Sequence, residues 1–454
     1  MENVVGYINS NRDKYVEELK DFLRIPSIST STASKGDMIT AANFVSTKLT
    51  QAGMENVKII ETKGHPLVYA DWLYAPGKPT LLVYGHYDVQ PVDPVNLWDS
   101  PPFEPTIKGG NIFARGATDD KGQMYMHIKS VEAYFKTLGK LPLNVKFIIE
   151  GEEEIGSGNL DEFVNKNQDM LKCDAVMISD TSLYGPGIPT LTYGLRGLCY
   201  MEVVITGPDR DLHSGTFGGG VDNPINVLAE MIAKLKDSNG KIKIPGFYDA
   251  VVNLTKKERE NFKTLHFSEK QYAKALGVKE LNGEKGYSTL ERVWARPTLD
   301  CNGIFGGFTG EGAKTVLPSK ATAKISMRLV PNQDPIKIGK LFKSYINKIA
   351  PKTVKVQIAD LHGAYPIATS LDDKATLAAA NALAKVFGKK TVFMREGGSI
   401  PIVVTFAKKL KAAPVLMGMG LNTENLHSPN EHFNLNHFHL GILSSAYFIQ
   451  EFSK

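Results

Sequence analysis

The sequence predicts an α/β protein: one domain with a largely parallel sheet and helices on both faces, interrupted by a smaller α+β domain. Three observations point there. A chain of 454 residues is too long for one ordinary core and predicts two or three domains. Helix-patterned and strand-patterned segments alternate through the first 200 residues, as in layered proteins built on parallel strands. The same pattern then resumes near residue 371, after a stretch of different character. Expected bounds are 1–200 and 371–454 for the first domain, with 201–370 inserted.

Taken in order, residues 15–23 and 41–51 have helical spacing, and strand-like runs follow at 57–60 and 80–84. Residues 123–138 read as a helix after the Lys121-Gly122 turn, and 145–150 and 175–179 as strands. The inserted part starts near Cys199 with a strand over 199–206 and a helix over 224–236. It continues with an alternating strand over 321–330, a helix over 337–350 and a strand over 353–359. Residues 240–300 are polar, with a charged run at 256–260, and read as an elaboration of the insertion. An Ala-rich helix from Ala375 and the apolar run 401–406 return to the first pattern.

Composition excludes several functions. With 42% hydrophobic and 22% charged residues and no low-complexity tract, the chain reads as globular. A net charge of +5, spread over the length, gives nucleic-acid binding little support. No run approaches the roughly 18 apolar residues of a membrane span, and the N-terminal stretch lacks a signal-peptide apolar core. Only Cys173, Cys199 and Cys301 occur, without CxxC spacing, which fits a reducing, cytoplasmic setting.

Five short stretches carry the chemistry: Gly85-His86-Tyr87-Asp88, Thr118 to Gly122, Glu152-Glu153-Glu154, Ser179-Asp180 and His427 to Glu431. Each places His, Asp or Glu after an apolar run or in a polar turn. Sites in open sheets form at the carboxyl ends of strands, and water-activating metals take such N and O ligands. If the first strand continues past His86, its period of two puts His86 and Asp88 on one face, with Asp88 set to orient the imidazole. In the Asp119-Asp120 turn, one carboxylate can bridge two cations while its neighbour caps the helix or pairs with Lys121. Three adjacent glutamates repel one another unless cations neutralise them, and one acting as base beside a ligand is a natural division. Two divalent cations would balance Asp119, Glu154, Asp180 and one bridging hydroxide, so the cluster can be buried. His437 and His439, an isolated pair near a helix, are better satisfied by packing.

The series GHYDVQP, RGATDDKGQ, EGEEEIGSGNL, ISD, YGLRG, DLHSG, RLVPN, REGGSIP and HSPNE resembles that of the dinuclear-zinc metallopeptidases that include carnosinase, carboxypeptidase G and aminoacylase. The likeness runs from about residue 15 onward and is greatest to the cytosolic nonspecific dipeptidase branch. It implies a catalytic zinc-exopeptidase domain and an inserted lid that makes a homodimer. It implies His86, Asp119 and Asp180 on one zinc, and Asp119, Glu154 and His427 on the other. Glu153 is then the general base, by register against Gly156-Ser157, and Asp88 the carboxylate that orients His86. His213 resembles a histidine that crosses to the partner subunit's site to support the oxyanion. Arg328, His362 and Ser399 resemble the groups that hold the substrate carboxylate, and Glu396 beside them belongs to the same substrate-binding set.

The expected function is hydrolysis of dipeptides or very short peptides with two divalent ions, zinc first, with manganese or cobalt as alternatives. The expected partners are a small peptide and a second copy of the chain, with neither nucleic acid nor membrane. An N-acyl amino acid deacylase or desuccinylase keeps the same fold and site. A non-catalytic dimeric scaffold fits poorly, since every ligand and the base are present.

Overall fold

The computed structural model describes residues 1–454, apart from the side chain of Lys257. The chain divides into two compact units. The first comprises Met1–Tyr193, Thr369–Met394 and Pro401–Lys454; the second comprises Gly194–Ala368 and Arg395–Ile400.

Four strands form the centre of the first unit: Asn144–Glu150, Thr80–His86, Ala175–Ile178 and Ala413–Leu416, parallel and adjacent in that order. They are buried along nearly their whole lengths. Continuous apolar runs such as LLVY and FII fold this way because both faces of the sheet are covered. Parallel pairing stops at this centre. Leu67–Trp72 adds antiparallel to Asn144–Glu150, Glu55–Ile60 adds antiparallel beyond it, and Thr192 pairs antiparallel with Leu416 on the other side. The sheet is therefore mixed, parallel only where the site is built.

Four long helices pack with this sheet and one another: Lys35–Ala52, Lys121–Leu138, Lys374–Phe387 and Leu435–Phe452. Lys121–Leu138 starts two residues before the predicted helix, and all of residues 121–134 are buried, as expected of a central helix. Its buried Lys129 is neutralised by Glu18 and Glu132, each at 2.5 Å. A Cβ on Gly122 would lie 2.0 Å from the Ala117 carbonyl oxygen, so glycine lets the helix start tuck under the turn before it.

The second unit has its own antiparallel sheet, ordered Thr298–Gly306, Lys320–Leu329, Gly197–Thr206, Lys355–Ala364. Burial alternates along Gly197–Thr206, as in a sheet with one covered face and one wet face. Helices Pro224–Ala233 and Pro335–Ile349 pack with it, each with proline in its first turn and a capping Asn223 or Asp334. The polar stretch 240–300 contains helices Lys256–Thr264, Glu269–Ala275 and Thr289–Ala295 and leads into the edge strand Thr298–Gly306.

Candidate metal centre

The first-unit site is assembled from the ends of the parallel strands. His86 is the last residue of Thr80–His86, Asp180 follows Ala175–Ile178 by two residues, and Glu153 and Glu154 lie in a 3-10 turn after Asn144–Glu150. Asp119 stands before helix Lys121–Leu138, joined to Asp120 by a cis peptide bond, and His427 occupies a loop with φ of 58°.

Two triplets converge: His86, Asp119 and Asp180, and Asp119, Glu154 and His427. Within each, one ligand atom per residue lies within 4.8 Å of the others. Asp119 belongs to both. Its Oδ1 is 3.2 Å from His86 Nε2 and its Oδ2 2.8 Å from His427 Nε2. His427 Nε2 is also 3.5 Å from Glu154 Oε2, which accepts a hydrogen bond from Gln90 Nε2 at 2.7 Å.

The strand ends at His86, so Asp88 reaches the imidazole from the following turn rather than by strand periodicity. His86 Nδ1 lies 3.0 Å from the Asp88 carbonyl oxygen and 3.3 Å from its Oδ1. The same carboxylate accepts the backbone N–H groups of Glu153 and Glu154, at 3.2 and 3.1 Å. Glu152 turns away: both its oxygens accept from Asn159, and Oε1 also from the His65 N–H. The Glu153 carboxylate, half-buried, has no hydrogen-bond partner among the described residues.

The donor set suits divalent cations. His86 Nε2 and Glu154 Oε1, one in each triplet, are buried without a hydrogen-bond partner among the described residues. Burial pushes Asp180 up to about 7 and Glu154 up to about 10, and the Asp119 charge adds to both. Burial drives Glu153 well above the ordinary carboxylate range too, with Asp180 and Asp119 adding to the rise. Burial would also raise Asp119, but its hydrogen bond to His427 and the adjacent His86 imidazole hold it well below that range. Carboxylates packed this closely share protons or share cations, and cations displace the protons.

Asp120 neither caps the helix nor pairs with Lys121. Its Oδ2 accepts the His86 N–H at 3.3 Å, while Lys121 Nζ donates to the carbonyls of Phe22 and Ile25. Sequence reasoning passed over Glu431, the last residue of HSPNE. Fully buried, it accepts from the N–H groups of Gly116, Thr118 and Asp119 at 3.0 to 3.1 Å and from Arg115 NH1 at 2.7 Å. It braces the loop that carries Asp119, and its place four residues after His427 in a polar turn was the available signal. His437 and His439 sit in helix Leu435–Phe452 outside both triplets, with His439 Nε2 2.9 Å from Asn9 Oδ1.

The remaining predicted residues belong to the second unit. His213 is exposed, at the end of the short strand Leu212–His213, and its Nδ1 accepts the Gly215 N–H at 3.0 Å. That bond puts the ring proton on Nε2, ready to donate. Arg328 faces Leu198 across the sheet and His362 faces Tyr200, so both project from the wet face. Arg328 NH1 donates to Ser399 Oγ at 3.2 Å, and the His362 ring stands edge-on to Tyr200 at 5.1 Å. Glu396 ends strand Val392–Glu396 and is half-buried.

Comparison with known proteins adds a consistent context. The profile described as peptidase family M20/M25/M40 matches residues 82–451. The Cys-Gly metallodipeptidase dug1 of Schizosaccharomyces pombe is 34% identical over 99% of this chain and 98% of its own. The human Beta-Ala-His dipeptidase is 32% identical, covering 99% of this chain and 92% of its own. Among solved structures, the metallo-carboxypeptidase Sso-CP2 from Sulfolobus solfataricus is 35% identical with a TM-score of 0.87, covering 97% of this chain and 99% of that one.

Proposed function

The chain belongs to peptidase family M20/M25/M40, and from that premise we propose how it hydrolyses dipeptides and very short peptides. It is a metal-dependent hydrolase of peptide bonds that acts on dipeptides. In our assignment His86, Asp119 and Asp180 hold one divalent cation and Asp119, Glu154 and His427 the other, zinc by preference. Bound there, such cations polarise the scissile carbonyl and lower the pKa of water to about 7. Glu153, free of internal partners and raised by burial, takes the proton from the attacking water and delivers it to the leaving amine. Asp88 orients His86 and holds the backbone of the Glu153–Glu154 turn.

The second unit supplies the substrate's polar contacts in this reading. His213, its Nε2 proton turned outward, supports the oxyanion of a partner subunit in a homodimer. Arg328, His362 and Ser399 hold the C-terminal carboxylate, and Glu396 belongs with them. No helix is long and apolar enough to cross a membrane; free Cys173, Cys199 and Cys301 support a cytoplasmic setting.

The observation that carries the reading is Asp119, one oxygen on each triplet, with an unpartnered buried atom in both. The test is a panel of dipeptides, longer peptides and N-acyl amino acids, assayed with zinc, manganese or cobalt. Dipeptides with a free amine should be the best substrates. Cleavage confined to N-acyl amino acids would make the enzyme a deacylase. Sequential removal of C-terminal residues from long peptides would make it a carboxypeptidase like its archaeal relative.

A further inference from the structure

Arg196 joins strands Thr190–Leu195 and Gly197–Thr206, and the groups it bonds lie within the second unit. Its Nε donates to the Gly397 carbonyl at 3.3 Å, while its NH1 is buried without a hydrogen-bond partner among the described residues. A Cβ on Gly397 would lie 2.7 Å from Arg196 NH2, so the guanidinium rests against backbone that only glycine leaves open. The Arg196 carbonyl accepts the Ser399 hydroxyl at 2.5 Å, and that same Oγ accepts Arg328 NH1 at 3.2 Å. Ser399 therefore joins the backbone of Arg196 to the guanidinium of Arg328.

The other well-buried arginines each have a carboxylate: Arg115 has Glu431, Arg296 has Glu284, and Arg395 has Glu258. Among the described residues, neither Arg196 nor Arg328 has a carboxylate within ion-pair distance. Burial and then the charge of Arg328 push Arg196 down to about 10, against a smaller opposing effect of Asp300, and it stays cationic at neutral pH. Two neighbouring half-buried cations with no carboxylate in contact are costly, and the cost is relieved when an anion arrives between them. The parallel N–H groups of a guanidinium fit a planar carboxylate.

We propose that Arg196 is a specificity-determining residue whose free NH1 donates to the C-terminal carboxylate of the peptide, alongside Arg328 and Ser399. The carboxylate sits between two guanidiniums, so the site selects peptide acids over neutral C-termini. The proposal rests on the dipeptidase reading for the identity of the carboxylate.

The test compares a dipeptide acid with its C-terminal amide, using metal-loaded wild type and Arg196→Met. Wild type should favour the acid. In the variant, kcat/KM for the acid should fall roughly 10- to 100-fold, mostly through KM, while the amide changes by less than about two-fold. A parallel loss for both substrates marks a merely structural residue, and an unchanged acid rate removes Arg196 from the site; either overturns the proposal. Should Arg196→Met fail to fold, Gly397→Ala provides the reading: it keeps the charge but displaces the guanidinium, and must blunt the preference for the acid in the same way. Titration calorimetry with a dipeptide whose scissile amide is replaced by CH2–NH, as acid and as amide, reads the preference without turnover. If wild type hydrolyses neither dipeptide, the dipeptidase reading fails while the calorimetric comparison still decides the role of Arg196.

Discussion

In the first unit, several of the proposed residues are tied together: Asp88 to His86 and to the backbone of the Glu153–Glu154 turn, His427 to Asp119, Glu431 to the Asp119 loop. In the second unit, His213 and His362 stand exposed on a short strand and a sheet edge, and Ser399 joins Arg328 to the Arg196 backbone. The first arrangement is acidic and, apart from the exposed His427, largely buried. The second is basic, with two exposed histidines and two half-buried arginines. The same chain builds the acidic arrangement on a parallel sheet and the basic one on an antiparallel sheet.

Stripping the cations should break the comparison most severely. Dialysis against a chelator is expected to abolish hydrolysis, and zinc or manganese to restore it. Undiminished turnover in protein shown metal-free by elemental analysis would end the dinuclear reading. Next in size is Glu153→Gln, which should lower kcat about 10² to 10⁴-fold with both metals retained. Glu154→Ala should instead lose metal, and the reverse pattern would exchange the two roles. Smaller again is Glu431→Gln. It leaves Arg115 without its counter-charge and loosens the Asp119 loop, so metal affinity should drop roughly 10- to 100-fold and stability by about 3 kcal/mol. Wild-type metal titration and melting would show the brace to be dispensable.

The smallest effect sharpens the other side. His213→Ala and Glu153→Ala homodimers, each inactive, are co-refolded at equal ratio. Random pairing makes about half the dimers mixed, each with one site that combines an intact Glu153 and the partner subunit's intact histidine, so activity should return to roughly a quarter of wild type. No recovery, with mixed dimers shown to have formed, places His213 in its own subunit's site.

The centre of the first unit was legible because its strands are continuous apolar runs that end in acidic or histidine-bearing turns. The flanks were not. Asp71, accepting from Tyr69 Oη, interrupts the pattern of Leu67–Trp72, and the edge strand Thr298–Gly306 is too exposed to show any period. Strand direction also depends on partners far away in sequence, which is why a mixed sheet read as largely parallel. Helices Lys256–Thr264 and Thr289–Ala295 did leave a local trace: Thr255 with Glu258, and Ser288 with Glu291, form capping boxes. Glu431 was hidden for a different reason, since bracing backbone N–H groups more than 300 positions away leaves no spacing to read.

That long reach has a consequence for how the enzyme is made. Residues 427–431 are translated after Asp119, Glu154 and the main segment of the second unit, some 300 residues behind the first acidic turn. At about 5 to 20 residues per second, Asp119 waits roughly 15 to 60 s for His427 and Glu431. The main run of the second unit, Gly194–Ala368, emerges within that interval and has its own core to fold around. Assembly of both triplets is thereby an event of the nearly finished polypeptide, and a chain that stops before residue 427 has the core of the second unit but lacks His427 and Glu431.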